Sequence, residues 1–585
     1  MIINKTTDIA NEFNNFFVNV GSNLANEIVE QRNGSKIGDT MNNNLHSIFI
    51  RQVEDKEVID IVKKCKNKKS MDYMGIDMTL VKNILQGIVR PLTHICNLSL
   101  QTGIFPNSMK TAKVIPIYKN GDRHLFTNYR PISLLPQFSK ILEKLFVHRL
   151  DDFIEKQNLL CDQQYGFRTN RSTSMAVMNL TEQISNAIDN KEFTAGVFID
   201  LKKAFDTIHH EILLKKLEYY GIRGAAHSWL KSYLLDRDQF VEINNVKSDK
   251  QRIKFGVPQG SVLGPKLFIL YINDICNVSK LLNCILFADD TNLFCHGKNL
   301  EELLKTMERE LNILKTWFDL NKLSLNLSKT KLIIFGNQKI ENEVTLMINN
   351  IKIERVYEYK FLGVLIDHKL SWKSHIDHVK RKMSKTIAIL FRSKEILNQK
   401  SLYLLYCSLI IPYMTYCVEL WGNTYKTNVN PIFILQKRVI RIIKRAEFRE
   451  PTNALFIELH ALKFWDLVNL QTLLILYKAQ NKLLPNCLQK LFETKETKYE
   501  LRNAGMFDTT LARTNIKQHC VSVKGVSLWK CCDKELRACS SIHVFKKMSI
   551  DTSYECTTIH VSMYYLCFGN GIESEEKVCY IICIL

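Results

Sequence analysis

Two adjacent carboxylates, Asp289 and Asp290, stand between the apolar runs Cys284–Phe287 and Leu293–Phe294. Asp/Asn clusters between apolar runs mark tight turns, so the stretch Asn283–Phe294 predicts a hairpin with both carboxylates at its tip. Successive side chains on a strand point to opposite faces, and a sharp turn is what lets such a pair project where one or both can hold a metal. By itself an Asp-Asp pair reads as a solvated turn. A third carboxylate upstream changes that reading: Asp200 ends the strand-like run Ala195–Ile199 and is followed by small Ala204, aromatic Phe205 and a further acid, Asp206. Between these stretches lies Gly256-Val-Pro-Gln-Gly-Ser-Val-Leu-Gly-Pro265. Its glycines let backbone approach closely around Gln259, and Ser261 and Pro265 suit the start of a helix.

In this order the three blocks resemble motifs A, B and C of reverse transcriptases. The wording Asp-Leu-Lys-Lys-Ala-Phe-Asp, Gly-Val-Pro-Gln-Gly-Ser and Phe-Ala-Asp-Asp is that of non-LTR (LINE-type, jockey-like) retrotransposons. The resemblance runs from about Lys63 to Lys547, most specifically from Ala195 to Gly363. It implies an RNA-directed DNA polymerase that adds deoxynucleotides to a primer 3′-hydroxyl by two-metal phosphoryl transfer. That chemistry is served by two divalent ions about 3.5–4 Å apart. Mg²⁺ favours oxygen donors and takes only one or two carboxylates, the rest of its shell being water and phosphate. The resemblance makes Asp200 and Asp289 bridging ligands and Asp290 a supporting one, with two Mg²⁺ ions, or Mn²⁺, as cofactor. On residue type alone Asp206 competes with Asp200; in the family pattern the first aspartate is the ligand and the second is structural.

The same resemblance assigns further roles. Phe205 falls at the steric gate, where its ring would clash with a ribose 2′-hydroxyl, a discrimination that an apolar pocket alone makes poorly; ordinary core is its other reading. Gln259 would meet the nucleotide and template. Arg130, in Asn128–Leu135, suits the triphosphate because guanidinium pairs with phosphate in a bidentate way. Lys119 is a second phosphate contact or an exposed loop-tip charge. Phe167 and Arg168 fall in a template-contacting Gly-Phe-Arg block, Phe167 reading first as core. Lys329 matches the motif D lysine that would protonate pyrophosphate, or is a surface lysine. Tyr359–Ile366 resembles the primer grip, with Phe361, Leu362 and Gly363 at the primer end.

To position these residues the chain is expected to adopt an α+β right-hand fold: fingers, a palm with an antiparallel sheet, a helical thumb and a helical C-terminal extension. The expected divisions are an N-terminal helix and linker over 1–70 and a reverse transcriptase domain of fingers and palm over 98–367. A helical thumb and extension over 368–500 and a C-terminal region over 501–585, its last part poorly ordered, complete them. Phe13, Phe16, Phe17, Val20 and Leu24 are spaced for one helix face. Leu80, Ile84, Ile88, Leu92, Ile95 and Leu98 predict a helix that Pro91 should kink or split and Gly103 should close. Further helices are read over Lys140–Lys156, Ser174–Asn190 and Leu300–Leu320. From Trp372 to Arg445 the pattern is helical and basic, through Lys380, Arg381, Lys382, Lys385, Arg438, Arg441, Lys444 and Arg445.

Composition fits this reading. The 585 residues are 46% hydrophobic, enough for several cores, and Lys plus Arg exceed Asp plus Glu by 80 to 59, a formal charge of +21. Such an excess attracts a polyanion. The expected partners are RNA template, DNA primer, their RNA/DNA duplex and deoxynucleoside triphosphates. The 17 cysteines show no complete zinc-binding spacing and no secretory signal opens the chain, so they read as reduced thiols of an intracellular protein, nuclear or cytoplasmic. Leu402–Val418, uncharged but broken by Pro412, reads as a buried helix and not a membrane span. In LINE-type proteins an endonuclease often precedes the linker; none is legible here, and the front reads as truncated. Two other readings are weaker. An RNA-binding protein on an inactive polymerase scaffold has no physical need for three carboxylates, and an intron maturase or telomerase lacks this motif wording.

Overall fold

The computed structural model describes residues 5–28, 37–41, 43–338, 340, 344–494 and 506–555. Its centre is the strand Phe193–Ile199, buried at every position. A strand covered on both faces needs a nearly continuous apolar run, and this one has it save Thr194, whose hydroxyl bonds to His296 Nδ1 at 2.8 Å. It pairs antiparallel with Asp290–Gly297 on one side and Lys331–Phe335 on the other. Asn283–Phe287 and Glu354–Arg355 complete the five-stranded sheet at its two ends.

Period-2 alternation sends neighbouring residues of the central strand into different cores. Ala195, Val197 and Ile199 join a core with Leu267, Phe268, Leu303, Met307 and Leu314, from the helices Gly264–Tyr271 and Leu300–Leu320. Phe198 joins a second core with Met175, Met178 and Ile184 of the helix Thr173–Asp189 and with Phe361 and Ile366 of the hairpin Glu358–Phe361/Val364–Asp367. That core continues into the helices Lys373–Ser393, Lys426–Lys444 and Phe464–Gln480. Residues 506–555 close back on Thr173–Asp189. Lys517 Nζ and Ser522 Oγ donate to Glu182 Oε2 at 2.8 and 2.7 Å, and Thr514 N donates to Asp189 Oδ1 at 2.7 Å.

A second sheet carries the hairpin Ala112–Tyr118/Tyr129–Leu134, with Arg237–Ile243 parallel to its first strand and Val246–Lys247 and Gln251–Ile253 outside. Against it packs the N-terminal helix Thr6–Asn26, whose Phe13 and Phe17 meet Val114 and Val241. The helix Asp55–Lys64 is likewise docked, Glu57 taking both guanidinium NH groups of buried Arg149 at 2.9 Å. These stretches of the expected linker are packed structure.

The helix predicted around Pro91 exists as one unsplit element, Met78–Thr102, and Gly103 closes it at φ +70°. Pro91 is exposed and the helix runs on through it. Its buried side is Met78, Val81, Leu85, Val89, Leu92 and Cys96, while Leu80, Ile84, Ile95 and Leu98 of the expected apolar stripe are exposed. Leu402–Val418 is broken near Pro412 as expected, into Gln399–Leu409 and Ile411–Thr415. It is buried on one side only: Leu402 and Tyr406 are inside, Leu404 and Tyr413 outside. Among the described residues no helix is long and apolar enough to cross a membrane. The final tail expected to be poorly ordered, Val578–Leu585, lies outside the described residues.

Candidate active site

The strands Asn283–Phe287 and Asp290–Gly297 pair so that Phe287 faces Asp290, leaving Ala288 and Asp289 as a two-residue turn. Ala288 sits at φ +55°. Primed hairpin turns require positive φ at their first central position, where side chains other than glycine's are strained. Ala288 is small, buried, and its N–H donates to Gln164 Oε1 at 3.2 Å. The segment before Phe167 grips this turn from outside. Tyr165 N donates to Leu286 O at 2.8 Å, Leu286 N to Gln163 O at 2.9 Å, and a Cβ on Gly166 would collide with Ala288 N.

The ladder between the central strand and Asp290–Gly297 ends at the pair Ile199–Thr291. Asp200 and Asp290 are the residues next beyond that pair, and Asp289 stands in the adjoining turn. The three carboxylates sense one another. Packing first, then the charges of Asp289 and Asp200, push Asp290 up to about 6. Packing and Asp200 also raise Asp289, against the lowering effect of Arg130 and Lys119. Asp200 Oδ2 accepts from Asn326 Nδ2 at 2.7 Å, and Asn326 N donates to Asp200 O at 2.8 Å. Ser328 Oγ donates to Asn326 Oδ1 at 2.8 Å, which fixes the amide's orientation.

Asp206 stands apart from this group. Gln259 Nε2 donates to both of its oxygens, at 2.8 and 3.0 Å. Burial pushes Asp206 up to about 6 while Gln259 and Lys203 pull it down. Both of its oxygens thus have a partner in Gln259. Gln259 O also accepts from Ser133 N at 2.8 Å, joining the second sheet to the loop after the central strand. Two glycines make this approach possible: a Cβ on Gly256 (φ +79°) would meet Asp206 backbone at 2.8 Å, and one on Gly260 (φ +123°) Ser133 O at 2.7 Å. Phe205 is half-buried and stacks on Phe268, centroids 4.6 Å apart, so it is core-supported yet open on one side.

Opposite the carboxylates lies a group of cations. Arg130, paired in register with Ile117, and Lys119, whose N donates to Asn128 O at 2.9 Å, are both exposed. Lys203, not singled out from sequence, donates to Tyr129 O at 3.2 Å. Burial lowers its ammonium, Asp206 raises it, and the charges of Lys119, Arg130 and Lys329 lower it further. Lys329 is exposed, its N–H bonded to Asn326 O at 3.1 Å.

Three expectations need correction. Phe167, read first as core, is exposed at φ +52°, next to the Gly166 that abuts the Ala288 turn. Arg168 is turned inward, its guanidinium donating to Cys161 O at 3.0 Å and pairing with Glu155, so it presents no free charge to a template. Phe361 is 2% exposed and faces Phe198 at 5.8 Å, so it supports its hairpin from below. Leu362 and Gly363, at φ +45° and +88°, form the accessible tip. Tyr359 of the same hairpin stacks on Phe198 at 4.4 Å. Burial, then the charges of Asp290 and Asp200, raise its phenol. Of the basic helical residues, Arg381, Lys382, Lys385 and Arg438 are exposed, whereas Arg441 donates to Glu450 O at 2.9 Å and Lys444 pairs with Glu458 at 2.6 Å.

Among the described residues no three His, Cys, Asp or Glu side chains converge enough to hold a metal ion unaided. The aspartate group nevertheless fits a hard cation that draws most of its ligands from water and phosphate, because it offers carboxylate oxygens whose mutual repulsion a cation would relieve.

The chain is similar to known proteins in this same region. Residues 117–366 match the family described as reverse transcriptase (RNA-dependent DNA polymerase). A probable RNA-directed DNA polymerase from transposon BS of Drosophila melanogaster is 31% identical over 68% of this chain and 45% of its own length. The RNA-directed DNA polymerase from mobile element jockey of the same species is 27% identical over 77% and 50%. A probable RNA-directed DNA polymerase from transposon X-element is 27% identical over 72% and 47%. The chain thus spans about half the length of these curated relatives.

Proposed function

The chain carries a reverse transcriptase domain of the kind found in non-LTR transposon polymerases, and from that premise we propose that it copies RNA into DNA at the Asp200–Asp289–Asp290 site. The second sheet acts as fingers, the central sheet as palm, and the helices from Lys373 onward as thumb and extension. The observation that supports this reading is the ladder that ends at Ile199–Thr291, one residue short of Asp200 and Asp290, beside the strained Ala288 turn. Asp200 and Asp289 would hold Mg²⁺, with Asp290 in support; when bound, the metal promotes loss of the primer hydroxyl's proton and neutralises pyrophosphate. The cations Arg130, Lys119, Lys203 and Lys329 receive the triphosphate. Phe205, braced by Phe268, excludes a 2′-hydroxyl. Gln259, anchored at both ends by Asp206 and Ser133, holds the nascent pair. Leu362 and Gly363 meet the primer end, Phe167 stacks on the template, and Arg381, Lys382, Lys385 and Arg438 take duplex phosphates. Extension of a DNA primer on a defined RNA template by purified protein with Mg²⁺ tests the proposal; failure to extend refutes it.

A further inference from the structure

The N-terminal helix Thr6–Asn26 lies outside the matched domain, yet its two halves touch two different parts of the site. In its first half, Phe13 makes edge contacts with Phe126 and Tyr129, centroids 4.7 and 4.9 Å apart, and Phe16 lies 6.1 Å from Phe126. Phe126 and Tyr129 belong to the return of the hairpin that carries Lys119 and Arg130. The same half is pinned to the strand Arg237–Ile243 and to the loop between Val246–Lys247 and Gln251–Ile253. Gln239 Nε2 donates to Asn14 Oδ1 at 3.0 Å, Asn14 Nδ2 to Asp249 O at 2.8 Å, and Asp249 N to Asn11 Oδ1 at 2.8 Å.

The second half reaches the palm. Gly21 is buried against the carbonyl of Asp206, where any Cβ would collide with that oxygen and come within 3.0 Å of Phe255. Three residues on, Leu24 O accepts from Ser324 Oγ at 3.3 Å, in the segment leading to Asn326. Between the two ends, Lys203 Nζ lies 5.8 Å from the centre of the Phe16 ring and donates to Tyr129 O. One rigid helix therefore contacts the cation-bearing hairpin, the loop after Asp200 and the strand entry that orients Asp200. A helix of this length spans about 30 Å, enough to fix the separation of the sheets at its two ends.

We propose that this helix is a strut of the nucleotide site, in which Phe13 and Phe16 are positioning residues that hold Lys119, Arg130 and Lys203 at the distance from Asp200 that a bound triphosphate requires. The inference rests on the polymerase reading above. It assigns to the helix a part in nucleotide affinity and none in template choice: its bonds run to the cation hairpin and palm loop, and its Phe16 edge borders Lys203.

Phe16→Ala tests it, because Phe16 is only half-buried and its loss should leave folding intact. KM for deoxynucleotide should rise about tenfold, the scale of losing one or two ring contacts and one cation contact. kcat and primer–template affinity should stay nearly unchanged. Independently of activity, amide exchange should quicken in Lys119–Leu134 and not in Phe193–Ile199. Gly21→Val, which acts at the palm end, should give the same pair of effects. Where the wild type extends primers, an unchanged KM in Phe16→Ala, or unchanged exchange in the hairpin, overturns the strut. Absence of extension by the wild type refutes the polymerase reading instead, and the exchange result still decides whether the helix holds the hairpin.

Discussion

Asn326 Nδ2 donates to Asp200 Oδ2 at 2.7 Å while its own carbonyl oxygen side accepts from Ser328, so one amide clamps one oxygen of a carboxylate and leaves the other free. A hydrogen bond to a charged group contributes about 1.5–3 kcal/mol. Asn326→Ala should therefore slow extension by about tenfold or more at fixed Mg²⁺, with RNA/DNA duplex affinity retained, as read by parallel single-turnover and binding assays. A wild-type rate in Asn326→Ala would show that the amide does not orient Asp200.

The gate is predicted from Phe205 and its brace together. Phe205→Ala removes the ring, and Phe268→Ala removes the surface it stacks on at 4.6 Å. Both should raise incorporation of ribonucleotides relative to deoxynucleotides, Phe205→Ala the more strongly. Competition between the two nucleotide types on one template measures the ratio, and an unchanged ratio in Phe205→Ala leaves that ring as core alone.

Acidity separates activity from stability. Asp290 is raised to about 6 and Asp289 is raised as well. Both must be ionised to bind a cation, so extension should fall as pH drops through about 6. The sign for stability is opposite. A carboxyl whose folded pKa lies above its unfolded value binds more protons folded than unfolded between those values, so its destabilising charge is relieved as pH falls from about 6 toward 4. Asp290→Asn should accordingly raise the melting midpoint at pH 7 while impairing extension. A lowered midpoint would contradict the repulsion drawn here.

Attachment of residues 506–555 depends on a buried ion pair. Lys517 and Glu182 are 5% and 2% exposed at their side chains, with Ser522 completing the network. Removing one partner of a buried pair costs about 3–5 kcal/mol. Lys517→Ala should lower stability by that order, whereas Lys305→Ala, from a pair 75% and 78% exposed, should leave it nearly unchanged. Chemical denaturation of both variants makes the comparison.

Local chemistry explains what could be read in advance. The helix Leu300–Leu320 and the turn at Asp289 follow from periodicity and turn residues, which are properties of short windows. Which face of a helix is buried is not: Leu80, Ile84, Ile95 and Leu98 are as apolar as Val81, Leu85 and Val89, and only the position of the neighbouring helices decides between them. Arg168 and Phe361 went astray for the same reason, since backbone carbonyls at Leu160 and Cys161 and the ring of Phe198 are distant in chain or hidden in fold. Asn326, Gln164 and Lys203 are polar residues whose partners lie across the sheet. Asn326 sits among other polar residues, Ser324, Ser328 and Thr330, so nothing in its local sequence sets it apart.

The central claim is that Asp200, Asp289 and Asp290 act as one metal-holding group for RNA-templated synthesis. Asp289→Asn tests it most directly, because Asn keeps the size of the side chain at the turn and removes only the charge. Primer extension on an RNA template and binding of the RNA/DNA duplex should be measured on the same preparation. Extension should be abolished while duplex binding, supplied mainly by basic residues on phosphates, stays near wild type. Substantial synthesis by Asp289→Asn would contradict it.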